Sequence, residues 1–231
     1  MSRGAVEPVE ERVYAVTLSG APVAVLTASA CDPAELAAGH LLARGHPWDA
    51  LRAAAFRVDD GSVDVDLPPE AADAGACLRA HRTTEGVAHV LGCGGCRALL
   101  GAGDAPLPGL DELRALMGEL YGESSGVHAA GLVRGAELVL RLEDVARHSA
   151  LDRLAGAALR RGWDPAGLGL VTTARISGEM AYKAARAGLA WVASRSVPTT
   201  LATRIAATAE LPLAARAGTP RQRVFAGVLA S

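Results

Sequence analysis

The residues best equipped for chemistry are two thiols, Cys93 and Cys96, held as Cys93-Gly94-Gly95-Cys96 immediately before Arg97-Ala98-Leu99-Leu100, where a helix can begin. A helix start and a nearby arginine raise the thiolate fraction, and the thiolate is the nucleophile. The glycines let the loop bend and leave the sulfurs accessible. Cys31 and Cys77 stand alone and read as small buried hydrophobes. Three chemistries compete for the pair. A zinc site needs two further ligands; no second C-x-x-C exists, and Cys77, His81, His89 and His128 are the residues that could be recruited. A thioredoxin-like dithiol belongs after the first strand of a pattern that is not evident here. A sulfur carrier needs one accessible, thiolate-rich cysteine, which the motif supplies. Spacing alone does not choose among them.

A second constellation lies at Glu143-Asp144-Val145-Ala146-Arg147-His148-Ser149-Ala150-Leu151-Asp152. An apolar run, Leu138 to Leu142, predicts a strand before it, and Ala150, Leu151, Leu154, Ala155, Ala158 and Leu159 predict a helix after it. A helix start offers unpaired N–H groups and a dipole that favours anions, and Arg147 and His148 add two donors. The plainer reading is that Asp144 caps the helix and Arg147 is solvated. The construction recurs twice. Leu168 to Thr172, Thr173-Ala174-Arg175 and Ser177 to Ala187 read as strand, turn and helix, and so do Ala190 to Ala193, Ser196 to Thr200 and the run bearing Leu201, Ile205 and Ala209. Such alternation predicts a largely parallel sheet whose strand ends bring Arg147, His148, Arg175, Thr199 and Thr200 to one edge.

The elements that must position these residues are bounded by composition. A chain of 231 residues can bury a full core. Half of it is hydrophobic but only 3% aromatic, and no apolar run approaches the ~18 residues of a membrane span. Met1 to Glu11 is acidic and unlike a secretion signal, so a cytoplasmic protein is expected. Residues 1–140 carry a net charge of −9 and residues 141–231 of +7. A basic half without aromatic stacking residues suits a small polyanion better than nucleic acid, and no membrane partner is expected. Val13 to Leu26 predicts a hairpin around Ser19-Gly20, and Phe56 to Leu67 a second around Asp59-Asp60-Gly61. Between them Asp32 caps a helix with Leu36, His40 and Leu41 on one face, stopped by Gly45. Pro68 to Ala76 reads as a linker, and Asp111 to Tyr121 as a helix with Leu113, Leu116, Met117 and Leu120 inward, ended by Gly122. The division expected is an α+β part over 1–76 and an α/β core over 77–231.

Taken together these segments resemble the formate dehydrogenase accessory sulfurtransferase family, FdhD. Cys93-Gly94-Gly95-Cys96 matches its C-x-x-C loop, Val127-His128-Ala129-Ala130 a small-His-Ala-Ala element, and residues 143–152 its most specific signature, with Ala146 and Ser149 as departures. Arg175 with Ser177-Gly178-Glu179-Met180 and Lys183-Ala184-Ala185, then Pro198-Thr199 and the Arg216 to Arg221 loop, fit the remaining blocks. Ala28-Ser29-Ala30-Cys31 replaces the family's arginine-threonine-proline-glycine, Leu91-Gly92 its serines, and Arg97 the glycine after the second cysteine. The resemblance implies a cytidine deaminase-like three-layer α/β/α core with a smaller N-terminal α+β part, as a homodimer. It implies no deaminase chemistry, since His128-Ala129-Ala130 lacks the proton-transferring glutamate. It implies that Cys93, assisted by Cys96, takes persulfide sulfur from a cysteine desulfurase. The sulfur passes to the molybdenum cofactor, bis-molybdopterin guanine dinucleotide, for formate dehydrogenase or a related molybdenum or tungsten enzyme. The cofactor is then bound as substrate by His128, Arg147, His148, Arg175, Thr199, Arg216, Ala217, Gly218, Thr219, Pro220 and Arg221, with no permanently bound metal. A cofactor-binding chaperone without sulfur transfer and a structural zinc protein are the alternatives.

Overall fold

A computed structural model describes residues 9–68, 83–120 and 126–225. The first hairpin forms as expected: β1 (Arg12–Leu18) and β2 (Ala21–Ala28) pair through Ser19 and Gly20, whose φ of 49° and 78° suits the right-handed twist of the ribbon. β3 (Ala55–Asp59) and β4 (Ser62–Asp66) make the second hairpin. The two merge through a parallel seam between β1 and β4, giving one four-stranded sheet in the order β2-β1-β4-β3. A parallel seam needs a crossover. It is supplied by α1 (Pro33–Ala43), capped by Asp32, and the short α2 (Trp48–Arg52).

The second sheet has six strands: β5 (His128–Arg134), β6 (Glu137–Asp144), β7 (Leu168–Thr172), β8 (Trp191–Ser194), β9 (Leu213–Ala215) and β10 (Arg223–Phe225). Their order is β10-β9-β8-β7-β5-β6. The expectation of a largely parallel sheet is corrected: only β7–β8 and β8–β9 are parallel, and the other pairings are antiparallel. The cause is the turn after Arg134, with Gly135 at φ 60°, which folds β5 straight back on β6 without a crossover helix. Because β5 opposes both neighbours, β6 still runs in the same direction as β7. The turns after β6, β7, β8 and β9 and the start of β5 therefore share one edge, as predicted.

Helices cover both faces. α5 (Leu110–Leu120) lays Leu113, Leu116, Met117 and Leu120 against Val133, Val171, Trp191 and Ala214 on one face. Its Tyr121-Gly122 ending lies outside the described residues, as does the 76/77 division. On the other face α6 (Arg147–Arg160), α7 (Gly178–Arg186) and α8 (Thr200–Thr208) meet Leu132, Leu170, Val192 and Leu213. This second core continues through α1 into Val16, Val63 and Val65 of the four-stranded sheet. α3 (Thr83–Gly92) and the single turn α4 (Gly94–Arg97) pack beside it.

The join between the two sheets is a helix crossing at backbone distance. A Cβ on Gly39 of α1 would stand 1.9 Å from the carbonyl oxygen of Asp152, and one on Gly156 of α6 would stand 1.8 Å from that of Glu35. Two helices that close cannot admit even a methyl group. Gly156→Ala is expected to lose about 1–3 kcal/mol despite alanine's better helix propensity, read as a lower urea midpoint. Gly94→Ala, whose Cβ would meet nothing within 4 Å, should leave the midpoint unchanged or raise it.

Candidate functional site

The thiols sit on a helical turn rather than on the bent loop expected from the glycines. Cys93 is the N-cap of α4 in extended backbone, and none of Gly92, Gly94 and Gly95 has a positive φ. Side-chain atoms added at those glycines would meet nothing, so that side of the turn is open. Cys96 is 1% exposed and joins the main core, whereas Cys93 is half-buried. Arg97 Nη2 donates to the Leu91 carbonyl at 2.5 Å. His89, one turn earlier on α3, completes a cluster: its ring nitrogen and the two sulfurs all lie within 4.8 Å of one another. Of the other residues that could have been recruited, His128 lies on the sheet edge, and Cys77 and His81 lie outside the described residues. Cys31 is different in kind. Burial pushes its thiol up, the Tyr14 hydroxyl partly opposing.

The strand-end edge assembles in register. His128 begins β5 opposite Asp144, the last residue of β6. Arg147 begins α6, with its Nε buried and unpartnered. The cap of that helix is Ala146, which makes no side-chain cap bond, and its first turn holds no acidic residue. Asp144 is engaged just outside the helix. Fully buried, it accepts from Ala146 N (2.9 Å) and Ser29 N (3.2 Å) and pairs with Arg153 Nη1 at 2.5 Å. The expected cap thus stands two positions before the actual N-cap, and among the described residues no cap side chain accepts from the helix N–H groups. His148 Nε2 lies 3.3 Å from Ser177 Oγ and 3.7 Å from Glu179, which ties the start of α6 to that of α7. Burial lowers its pKa, with Glu179 opposing and Lys183 and Arg147 adding to the shift. Arg175 is exposed after β7. Thr199 caps α8 through Ala202 N and donates its own N–H to Ile176 O at 3.0 Å, and Thr200 opens the helix.

The loop after β9 is folded on itself. Ala217 is buried and donates to Ser194 O (2.8 Å), while the Thr219 hydroxyl donates to Arg216 O (2.7 Å) and accepts from Arg221 N (3.2 Å). Gly218 has φ 70° and so little room that a Cβ would stand 2.6 Å from Arg114 Cα. Pro220 and Arg221, with Arg216, Arg223, Val197 and Phe225, line a cavity of about 500 Å³. Beside it Arg195, Arg216 and Thr219 line another of about 420 Å³. Arg195 escaped the sequence reading although it directly follows a strand, the same signal that marked the other turns. The predicted residues are therefore brought to one edge but not to one point. Arg147 and the Arg216 loop are four strand spacings apart, roughly 19 Å. Nor do the thiols join them. The chain leaving Cys96 docks through Gly101 N on Ala185 O and Ala102 N on Ala209 O, at the ends of α7 and α8 remote from Ser177 and Thr199.

Behind the edge runs a buried ionic chain. Lys183, the only lysine in the sequence, is 5% exposed and places Nζ 2.6 Å from Asp152 Oδ2 and 3.7 Å from Glu179 Oε1. His40 Nδ1 stands 3.6 Å from the same Asp152 oxygen. Burial pushes the Asp152 carboxyl up, but Lys183 and His40 together hold it below the usual carboxylate range. The i,i+4 spacing of Glu179 and Lys183 lies within α7, but the contacts of Asp152 with Lys183 and His40 join different helices and were not legible in advance.

Residues 9–229 match the model of the FdhD/NarQ family. A sulfur carrier protein FdhD from Xanthomonas campestris pv. campestris (strain B100) is 35% identical over 225 residues, covering 88% of this chain and 78% of that protein. A protein of the same name from Cupriavidus necator is 32% identical, covering 90% and 77%. A crystal structure of a formate dehydrogenase accessory protein from Desulfotalea psychrophila superposes with a TM-score of 0.73 at 23% identity, covering 94% of this chain and 87% of that one. No helix among the described residues is long and apolar enough to cross a membrane.

Two outcomes follow from the buried groups. Asp152→Asn removes the near carboxylate of a buried Lys183, leaving Glu179 3.7 Å away, and should cost about 3–5 kcal/mol in urea unfolding, while Asp152→Asn with Lys183→Met should recover most of it. His148 should titrate below the ordinary ~6.5 in an NMR pH series. The unfolded chain then takes the proton first, so His148 withdraws stability as pH falls through ~6.5 and continues to do so down to its folded value.

Proposed function

The chain belongs to the FdhD/NarQ family, and from that premise we propose that it is a sulfur carrier. It takes sulfane sulfur from a cysteine desulfurase onto Cys93 and delivers it to the molybdenum cofactor, bis-molybdopterin guanine dinucleotide. The client is a formate dehydrogenase or a related molybdenum or tungsten enzyme. The observation that carries the reading is the division between the motif thiols: Cys93 is half-buried beside the open face of the glycines, and Cys96 is shut into the core. The relatives named sulfur carrier protein FdhD support it. In the first step the Cys93 thiolate attacks the terminal sulfur of the donor persulfide. A new S–S bond forms on Cys93, the donor's S–S bond breaks, and the donor leaves as a thiolate. In this reading Cys96, one helical turn on, assists release once the turn opens.

The strand-end edge is where we assign the cofactor. Its two nucleotide halves suit two separated cationic ends, the Arg147 helix start and the cavity of Arg216, Pro220 and Arg221. His128, His148, Arg175 and Thr199 lie between them. The six-stranded sheet with helices on both faces is the scaffold we assign to a cytidine deaminase-like core, working as a cytoplasmic homodimer without deaminase chemistry. A chaperone that holds the cofactor and moves no sulfur would use the same edge, and the cysteine variants separate the two readings.

Incubation with a cysteine desulfurase and cysteine should add about 32 Da to the intact mass, reversed by dithiothreitol. Cys93→Ala should abolish the adduct and Cys31→Ala should leave it; an adduct retained in Cys93→Ala and lost in Cys96→Ala would exchange the two roles. GDP should bind as a cofactor fragment. Arg221→Ala and Arg147→Ala should each weaken calorimetric affinity roughly ten- to a hundred-fold for a lost charge-assisted contact, and Cys93→Ala should leave it unchanged. Unaltered GDP affinity in both correctly folded arginine variants would remove the edge from the ligand site.

A further inference from the structure

His89 and Cys96 lie on the two helices that meet at Cys93, with Cys93 N donating to His89 O (3.0 Å) and Arg97 N to Cys93 O (2.9 Å). The junction brings the three side chains together. Their donor atoms lie within 4.8 Å of one another, and one ion bound tetrahedrally at ~2.3 Å to sulfur and ~2.0 Å to nitrogen requires roughly 3.5–3.8 Å, so binding draws the half-buried His89 and Cys93 side chains inward by up to about 1 Å. The donor set is two thiols and one imidazole, with no carboxylate, which selects a soft, thiophilic cation over magnesium or calcium. Cys96 forms a closed floor at 1% exposure, while Gly92, Gly94 and Gly95 leave the opposite side open. Among the described residues the site offers three protein ligands and leaves the fourth position open, the pattern of an exchangeable site.

We propose that His89, Cys93 and Cys96 form a zinc-binding site on the chain that has not yet received sulfur. Binding is coordination without redox change. Zn²⁺ displaces the two thiol protons, which pass to solvent, and the two thiolates neutralise the ion while the imidazole binds as a neutral ligand. One further consequence rests on the sulfur-carrier reading. A sulfur that coordinates zinc cannot at the same time attack a persulfide, so metal and sulfur compete for Cys93. The site would then hold the carrier thiol reduced and unreactive until the ion is withdrawn.

The test uses the full chain, reduced and metal-free, titrated with Zn²⁺ against a chromophoric chelator and, separately, with Co²⁺. One zinc per chain is expected, together with a cobalt spectrum bearing a thiolate-to-metal charge-transfer band. His89→Ala and Cys93→Ser should each weaken zinc binding by roughly a hundredfold, with circular dichroism unchanged, and Cys31→Ala should not alter it. Equal zinc affinity in wild type, His89→Ala and Cys93→Ser, or a cobalt spectrum without the thiolate band, overturns the site. Sulfur loading is then followed by intact mass with and without one equivalent of zinc. Loading blocked by zinc and restored by a chelator supports competition, and loading indifferent to bound zinc overturns it. A protein that binds zinc through these residues but never takes up sulfur, even after chelation, keeps the metal site and sinks the carrier reading instead.

Discussion

The crossing of α1 and α6 is the constraint on which the rest of the structure depends. Gly39 and Gly156 bring each helix into contact with the other's backbone. That closeness places Glu35 against Arg161 (2.7 Å) and His40 beside Asp152. Asp152 in turn fixes Lys183 and with it α7, and the start of α7 meets His148 at the start of α6. The strand-end edge is therefore positioned from behind, by a backbone contact and a buried ion pair, and not by the turns themselves. An interior of this kind is exacting: close-packed backbone has no slack to absorb a methyl group, and a buried ion has no water to fall back on.

Much of this was legible where the signal is local. Ser19-Gly20, Asp32-Pro33, Ser177 and Gly188 each carry their own turn or cap chemistry, and each stands where that chemistry put it. The edge was legible because strand, turn and helix recur in sequence, so that Arg147, Arg175 and Thr199 follow strands of one direction. What failed was long-range or required a strand to be seen. The run from His128 to Arg134 holds two alanines and a glycine at its centre, a weak strand signal, and missing it hid the antiparallel β5 that makes the sheet mixed. The α3 helix was missed for a similar reason, and with it the helical spacing that ties His89 to the thiols. The parallel β1–β4 seam joins residues about fifty apart, and nothing in either hairpin announces it.

The helix layer keeps two chemistries apart. Ser177 and Thr199 cap α7 and α8 at the cationic edge, and the segment after Cys96 is hydrogen-bonded to the other ends of the same helices. Those ends are about 12–15 Å apart, the rise from Ser177 to Ala185 and from Thr199 to Ala209. Cys96 is near Tyr182, midway along α7, and Tyr182 donates to Ala43 O at 2.7 Å. Burial pushes that phenol up to about 12, so it remains a neutral donor at any ordinary pH. The wall between thiol and edge is thus made of fixed, uncharged or internally paired groups, which leaves each surface able to vary without disturbing the other.

Lys183 also determines how the protein can be handled by covalent chemistry. All other permanent side-chain cations are guanidiniums, so the molecule has a single ε-amine, and it is sealed beneath α6 in contact with a carboxylate. Acylating, alkylating or crosslinking reagents that seek amines find no side chain to modify while the fold is closed. The same amine becomes reactive only when α7 lifts from α6. An amine-directed label on Lys183, counted apart from the N-terminal amine by peptide mapping, is consequently a reporter of opening rather than of surface, and its rate of incorporation reads the local equilibrium by which the buried pair is exposed.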